Sequence, residues 1–169
     1  MSQRVIVLRG TPASGKTTIA RSYRNFDEKV AWLKVDNFKD FFAEDSSIAL
    51  EYVNGSAIAT LTYLLESGFS VVMDGVFQDT DAIQKAVEVC NKLQIVVKVF
   101  ELEVSLETLK KRDLERDGVP QGLREPLGDE KIEQIYTKLK NNPYSEAITL
   151  NTEENNLEKC KEIIDELFH

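Results

Sequence analysis

Apolar residues along the chain follow two alternating patterns. Short runs rich in β-branched residues occur at 5–8, 30–35, 69–73, 95–102 and 147–150. Their length and composition suit strands buried on both faces. Between them, apolar positions recur at helical spacing. Val53, Ala57, Ile58, Leu61, Leu64 and Leu65 share one face; so do Ile83, Ala86, Val87 and Cys90, and later Ile132, Ile135, Tyr136 and Leu139. Ser105 has the character of an N-cap for a helix running to about residue 117. Strands alternating with helices predict an α/β fold, a parallel sheet with helices on both faces. The one long breaker-rich stretch is DGVPQGLREPLGDE, residues 117–130. In compact α/β domains a long loop is more often a functional lid than a plain connection.

Composition narrows the partners. The 169 residues suit a single domain, 1–169, with a full core, and no repeat or linker divides them. The formal net charge of -8 argues against general attraction to nucleic acid or anionic membranes, although a local basic patch is compatible with it. No apolar run approaches transmembrane length, and the opening MSQRVIVLRG lacks the cleavage region of a signal peptide. Cys90 and Cys160 stand in no metal or redox spacing and read as buried, reduced thiols, which fits a cytoplasmic protein. The single histidine, His169, is the last residue, so histidine acid–base chemistry is nearly excluded.

Against this background one stretch carries specific chemistry. GTPASGKT, residues 10–17, matches G-x-x-x-x-G-K-[ST] without a mismatch, directly after an apolar run and directly before a helical one. Gly10, Thr11, Pro12, Ala13, Ser14 and Gly15 would form a curl whose backbone N–H groups, which Pro12 alone lacks, surround an anion. The helix opening at Lys16, Thr17 and Thr18 would add its positive end. Lys16 would reach the β- and γ-phosphates, and the Thr17 hydroxyl would ligate Mg²⁺. These features predict a cradle for a nucleoside triphosphate. Guanine-specific proteins of this class read the base with N-K-x-D. Here NKLQ at 91–94 has Gln94 in place of the aspartate and falls at the end of a helical pattern, so ATP is the expected donor.

Other segments supply candidate partners. Asp74 ends the run FSVVMD, and carboxylates at the C-terminal ends of parallel strands face the ligand crevice. It is a candidate to hold Mg²⁺ or touch the acceptor; the bland alternative is a turn residue. Asp36 follows the run AWLKV and is a candidate base that accepts the proton of an incoming hydroxyl, or else a helix cap. Lys39, just beyond, is a candidate contact to the acceptor. Arg112 and Arg116 lie at i and i+4 before the breaker-rich loop, and Arg124 lies within it. They are candidate cations around the γ-phosphate in a lid spanning about 112–128, or else parts of a solvated helix.

In this order the features resemble the adenylate-kinase-like branch of P-loop kinases, over nearly the whole chain. WLKVDNF followed by SVVMDGVF is similar to segments of chloramphenicol phosphotransferase and its relatives. The resemblance implies a P-loop NTPase fold with a five-stranded parallel sheet in the order 2-3-1-4-5. It also implies Asp36 as the acceptor-activating base, and Arg112 and Arg116 as lid arginines contacting adenine and phosphates. Polynucleotide 5'-kinases and zeta-type toxin kinases belong to the same neighbourhood. They carry D-x-x-R where this chain has Asp36-Asn37-Phe38-Lys39, and lysine is no bidentate phosphate clamp.

The function expected is an ATP- and Mg²⁺-dependent kinase acting on a hydroxyl of a small, weakly charged acceptor, nucleoside-, sugar- or antibiotic-like. A polynucleotide 5'-hydroxyl kinase and a non-catalytic ATP-binding switch are the alternatives. Residues 35–84 support the first: they hold nine acids and one base, Lys39. Phe38, Phe41, Phe42, Tyr52 and Phe77 in the same span would wall an acceptor pocket or pack the core.

Overall fold

The computed structural model describes residues 2–42, 50–115 and 126–168. In chain order the elements are β1 (Arg4–Arg9), α1 (Lys16–Tyr23), β2 (Val30–Lys34), a 3₁₀ helix (Val35–Phe41), α2 (Leu50–Glu66), β3 (Ser70–Gly75), α3 (Asp81–Lys92), β4 (Val96–Glu103), α4 (Leu106–Leu114), α5 (Asp129–Asn141), β5 (Ile148–Asn151) and α6 (Leu157–Glu166). The strands form one sheet in the order β2-β3-β1-β4-β5, with every pairing parallel.

Side chains alternate across a strand, and the core divides accordingly. Val5, Val7, Val71, Met73 and Leu33 pack under Val53, Ala57 and Leu61 of α2 and Ile83 and Ala86 of α3. Ile6, Leu8, Val72, Phe100 and Leu150 pack on the opposite face, against Ile19 and Ala20 of α1 and Cys160 and Ile164 of α6. The central strand β1 is closed on both sides, which is why its sequence reads as an unbroken apolar run. Full burial of each such aliphatic side chain stabilises the fold by about 1.5–3 kcal/mol. A third cluster, Val104, Leu109 and Ile132, joins α4 to α5.

Several expectations met the structure directly. The Ser105 side chain accepts from the Thr108 amide and so caps α4. NKLQ is the exposed end of α3, with Gln94 in left-handed conformation at φ 57°. Cys90 and Cys160 are buried and unbridged. Burial pushes the Cys90 thiol up to about 11. Two boundaries differ. The run at 30–35 ends as strand at Lys34, and Val35 opens the 3₁₀ helix, so Asp36 sits one residue past the strand end's successor, in the helix's first turn. The loop expected to reach residue 130 stops earlier, because Asp129 and Glu130 form the first turn of α5, where acids complement the helix dipole.

Candidate functional site

The connection from β1 to α1 curls over the C-terminal edge of the sheet. Gly10 is required by close approach: a Cβ there would lie 2.8 Å from Ser14 Oγ and 3.2 Å from Leu102 Cβ of β4. Gly15 is required by conformation, at φ 97° immediately before α1. Ala13 takes φ 68° without being glycine, a strain on the order of 1 kcal/mol that the surroundings must hold. Thr11, Ser14 and Lys16 are buried. The Lys16 ammonium donates to the Thr11 carbonyl at 2.8 Å and to Ser14 Oγ at 3.4 Å, so it lies across the loop. A glycine-permitted curl with a buried cation over it is a fit for an anionic phosphate chain.

Thr17, in the first turn of α1, donates its hydroxyl to Asp74 Oδ2 at 2.9 Å. Asp74 is 2% exposed and stands in register with Leu8 of β1 and Lys34 of β2. Burial pushes its carboxyl up from the ordinary aspartate value. The nearby Lys16 charge and the Thr17 hydrogen bond pull it back in part, the Asp36 carboxylate adds to the rise, and Lys34 opposes it. The structure thus brings Lys16, Thr17, Asp74 and Asp36 to one mouth. A hydroxyl and a carboxylate in contact are a donor set that suits Mg²⁺ beside phosphates. Among the described residues no cluster of three or more acids, cysteines or histidines offers an alternative metal site.

Asp36 is half-buried and pairs with Lys39 at 2.7 Å. Their i, i+3 spacing on a 3₁₀ helix stacks the two side chains, one turn apart. Of the aromatics nearby, Phe77 belongs to the core and Phe38 and Phe42 pack partly against it. Phe41 is 76% exposed and Tyr52 61%. Phe38 and Phe41 form one tilted ring pair, Phe42 and Tyr52 another. On the other flank of the phosphate loop a cavity of about 290 Å³ opens between α5 and the ends of β4 and β5. Gly10, Thr11, Glu101, Glu103, Tyr136 and Tyr144 are among its walls, and neither Asp36 nor Asp74 lines it.

Arg112 is half-buried, and its charge reaches the exposed Glu153 carboxylate. Its guanidinium donates to the Thr152 carbonyl at 2.8 Å and to Thr152 Oγ1 at 3.3 Å. Its neighbour Asp113 is buried and accepts from the Leu127 and Gly128 amides at 2.8 and 3.0 Å, joining the two described flanks of the expected lid. Arg116 and Arg124 lie outside the described residues. Sequence reasoning passed over Thr152, Lys34 and Arg9. Arg9, fully buried at the end of β1, donates to Glu101 at 2.5 Å, the Asn142 carbonyl at 2.5 Å and the Phe77 carbonyl at 3.2 Å, tying the strand to two loops. A signal existed for each: all three stand at or next to the C-terminal end of a parallel strand, where such sheets build their crevice.

A five-stranded parallel sheet in this order, with a glycine-bounded loop between β1 and α1 and the carboxylate of β3 on the loop's threonine, defines a P-loop NTPase fold of the kinase-like kind. Residues 5–139 match the AAA domain family, and the chain belongs to that family. No curated protein matches the sequence. Solved structures similar to it include the APS kinase CysC of Mycobacterium tuberculosis in complex with AMPPNP and APS, at 16% identity and a TM-score of 0.67, covering 99% of each chain. A sugar kinase from Janibacter sp. HTCC2649 is 19% identical with a TM-score of 0.65, covering 98% of this chain and 95% of its own. A chain of the Pnkp1/Rnl/Hen1 RNA repair complex is 21% identical with a TM-score of 0.62, covering 83% of this chain and 45% of its own. At these identities the likeness is one of fold. No described helix is long and apolar enough to cross a membrane.

Proposed function

We propose that the protein is a kinase that transfers the γ-phosphate of ATP to a hydroxyl of a small, weakly charged acceptor. The observation that carries this reading is the shared mouth: Lys16 and the Thr17–Asp74 pair on one side, the Asp36 carboxylate within electrostatic reach on the other. A protein that only binds and releases nucleotide needs a carboxylate for Mg²⁺, as Asp74 would supply, but no second one as a base opposite its phosphate loop. On this reading Asp36 accepts the proton of the acceptor hydroxyl, the oxygen attacks the γ-phosphorus, and the bond to the β-phosphate oxygen breaks to leave ADP. Lys16 and backbone N–H groups of the loop and of the first turn of α1 take up charge on the phosphate oxygens. Mg²⁺, for which Thr17 and Asp74 are the suited residues, supplies further neutralisation when bound.

The charge around the mouth supports a weakly charged acceptor. Lys34 stands beside Asp74 and Lys39 is paired with Asp36, so each of these two described cations already has a carboxylate neighbour. A nucleic-acid backbone needs a track of cations to replace its lost counterions. The kinase folds reported above, from an APS kinase and a sugar kinase, are compatible with small acceptors. The test is a phosphotransfer screen with labelled ATP and Mg²⁺, comparing nucleosides, sugars, amino-alcohols and antibiotics with 5'-hydroxyl oligonucleotides and nucleoside monophosphates. Labelling confined to uncharged or weakly charged small molecules is expected. Efficient labelling of oligonucleotides, weakening steeply with salt, would favour the polynucleotide kinase instead.

A further inference from the structure

All three polar groups of Thr152, the residue after β5, are engaged, the hydroxyl both as acceptor and as donor. Its N–H donates to the Glu103 carbonyl of β4 at 3.2 Å, extending the sheet by one residue. Its carbonyl accepts from Arg112 at 2.8 Å. Its hydroxyl oxygen accepts from Arg112 at 3.3 Å, and the hydroxyl proton goes to the Ser14 carbonyl at 2.7 Å, across 138 residues of sequence. The turn that carries Thr152 is itself fixed. Asn151 Oδ1 accepts from the Glu153 and Glu154 amides at 2.9 and 3.0 Å. The Glu153 carboxylate accepts from the Ser105 amide at 2.8 Å and from the Thr108 hydroxyl, at the start of α4.

The Ser14 carbonyl belongs to the peptide plane that carries the Gly15 N–H. In a trans peptide the two bonds point in opposite directions, and the chain contains no cis peptide among the described residues. A hydroxyl that holds the Ser14 oxygen toward Thr152 therefore turns the Gly15 N–H away from Thr152. Gly15, at φ 97° and with no side chain, lacks the steric means to keep that plane in place by itself. Its missing Cβ would point at Thr152 Oγ1, 3.9 Å away. We infer that Thr152 is a positioning residue of the phosphate site: its hydroxyl, held by Arg112, fixes the Ser14–Gly15 peptide so that the Gly15 amide is presented to a phosphate chain. Arg112 then serves the loop from behind, through Thr152. This rests on the donor-site reading above.

The test uses the whole chain and two probes, AMPPNP with Mg²⁺ and inorganic tripolyphosphate, which is ATP's phosphate chain without base or sugar. Thr152→Val keeps the branched shape and removes the hydroxyl. Calorimetry is expected to show affinity for both probes falling about fivefold, the scale of one lost hydrogen bond, with Thr152→Ser restored to within about twofold of the parent. Thr152→Val binding tripolyphosphate as tightly as the parent overturns the inference, including when AMPPNP alone is weakened, since Thr152 would then serve the base side. A parent chain that binds neither probe removes the donor-site reading itself. Should Thr152→Val melt below the assay temperature, the Gly15 amide resonance of the parent carries the test. It is expected to shift when tripolyphosphate is added, and an unmoved Gly15 beside shifted neighbours overturns the proposal.

Discussion

On the donor side of the mouth, Thr11, Ser14, Lys16 and Asp74 are all buried, and their hydrogen bonds run to strands, to α1 and to the turn after β5. On the proposed acceptor side, Asp36 is half-buried on a single 3₁₀ helix, Lys39 and Asp40 are exposed, and Phe41 faces solvent. The physical demands differ. A phosphate cradle must hold N–H groups and one cation in place before the ligand arrives, because reorganising them on binding would consume the interaction energy. An acceptor side must admit a second molecule and release it, so its groups cannot all be enclosed. Changes on the donor side should therefore disturb stability together with function. Changes on the acceptor side should disturb function alone.

The sharpest break of this contrast is Asp36→Asn. It keeps the shape and removes the proton acceptor, so turnover should fall by about 10²-fold or more. Melting temperature and AMPPNP affinity should stay near the parent's. Full turnover, or a chain that melts many degrees lower, would show that Asp36 is a structural residue. Lys16→Ala is the donor-side counterpart. Loss of a buried, charge-assisted contact should weaken AMPPNP·Mg²⁺ about 10- to 100-fold. It should also destabilise the free protein by about 1–3 kcal/mol, because the Thr11 carbonyl loses its charged donor and keeps only the Ser14 amide. Unchanged calorimetric affinity would remove the phosphate-loop assignment.

Asp74→Asn separates the two effects by pH. The Asp74 carboxyl is raised in the folded chain, chiefly by burial. The folded state therefore binds its proton more tightly than the unfolded state does. That stability is complete below the unfolded aspartate pKa and is lost as pH rises through the higher folded value. Asp74→Asn should remove this loss, raising the melting temperature of the ligand-free protein at neutral pH relative to the parent. It should also reduce the extra stabilisation gained from AMPPNP with Mg²⁺. A mutant that melts lower at neutral pH and gains as much from Mg²⁺ as the parent would contradict both. The smallest effect is expected at Lys39. Its ion pair with Asp36 is partly exposed, so Lys39→Ala should change stability by no more than about 1 kcal/mol in a denaturant titration. A larger loss would mean that the acceptor side is built as tightly as the donor side.

The sequence alone was enough for whatever is local or periodic. The apolar runs alternating with helical spacing predicted the parallel sheet, since a strand covered on both faces has no polar side to show. Residues 10–17 declared themselves because eight contiguous positions carry the whole requirement for a phosphate curl. The place of Asp74 followed from its strand end, and that of Asp36 nearly so, although a 3₁₀ turn replaced the last residue of the expected strand. The tertiary structure decided what those groups are held by. That Thr17 meets Asp74, that Arg112 bonds Thr152, and that Thr152 reaches the Ser14 carbonyl depend on groups 40 to 138 residues apart. Periodicity reports which face of an element is apolar and says nothing of which polar groups on distant elements will meet. Those meetings are set by sheet order and register, through the requirement that polar groups taken out of water find partners.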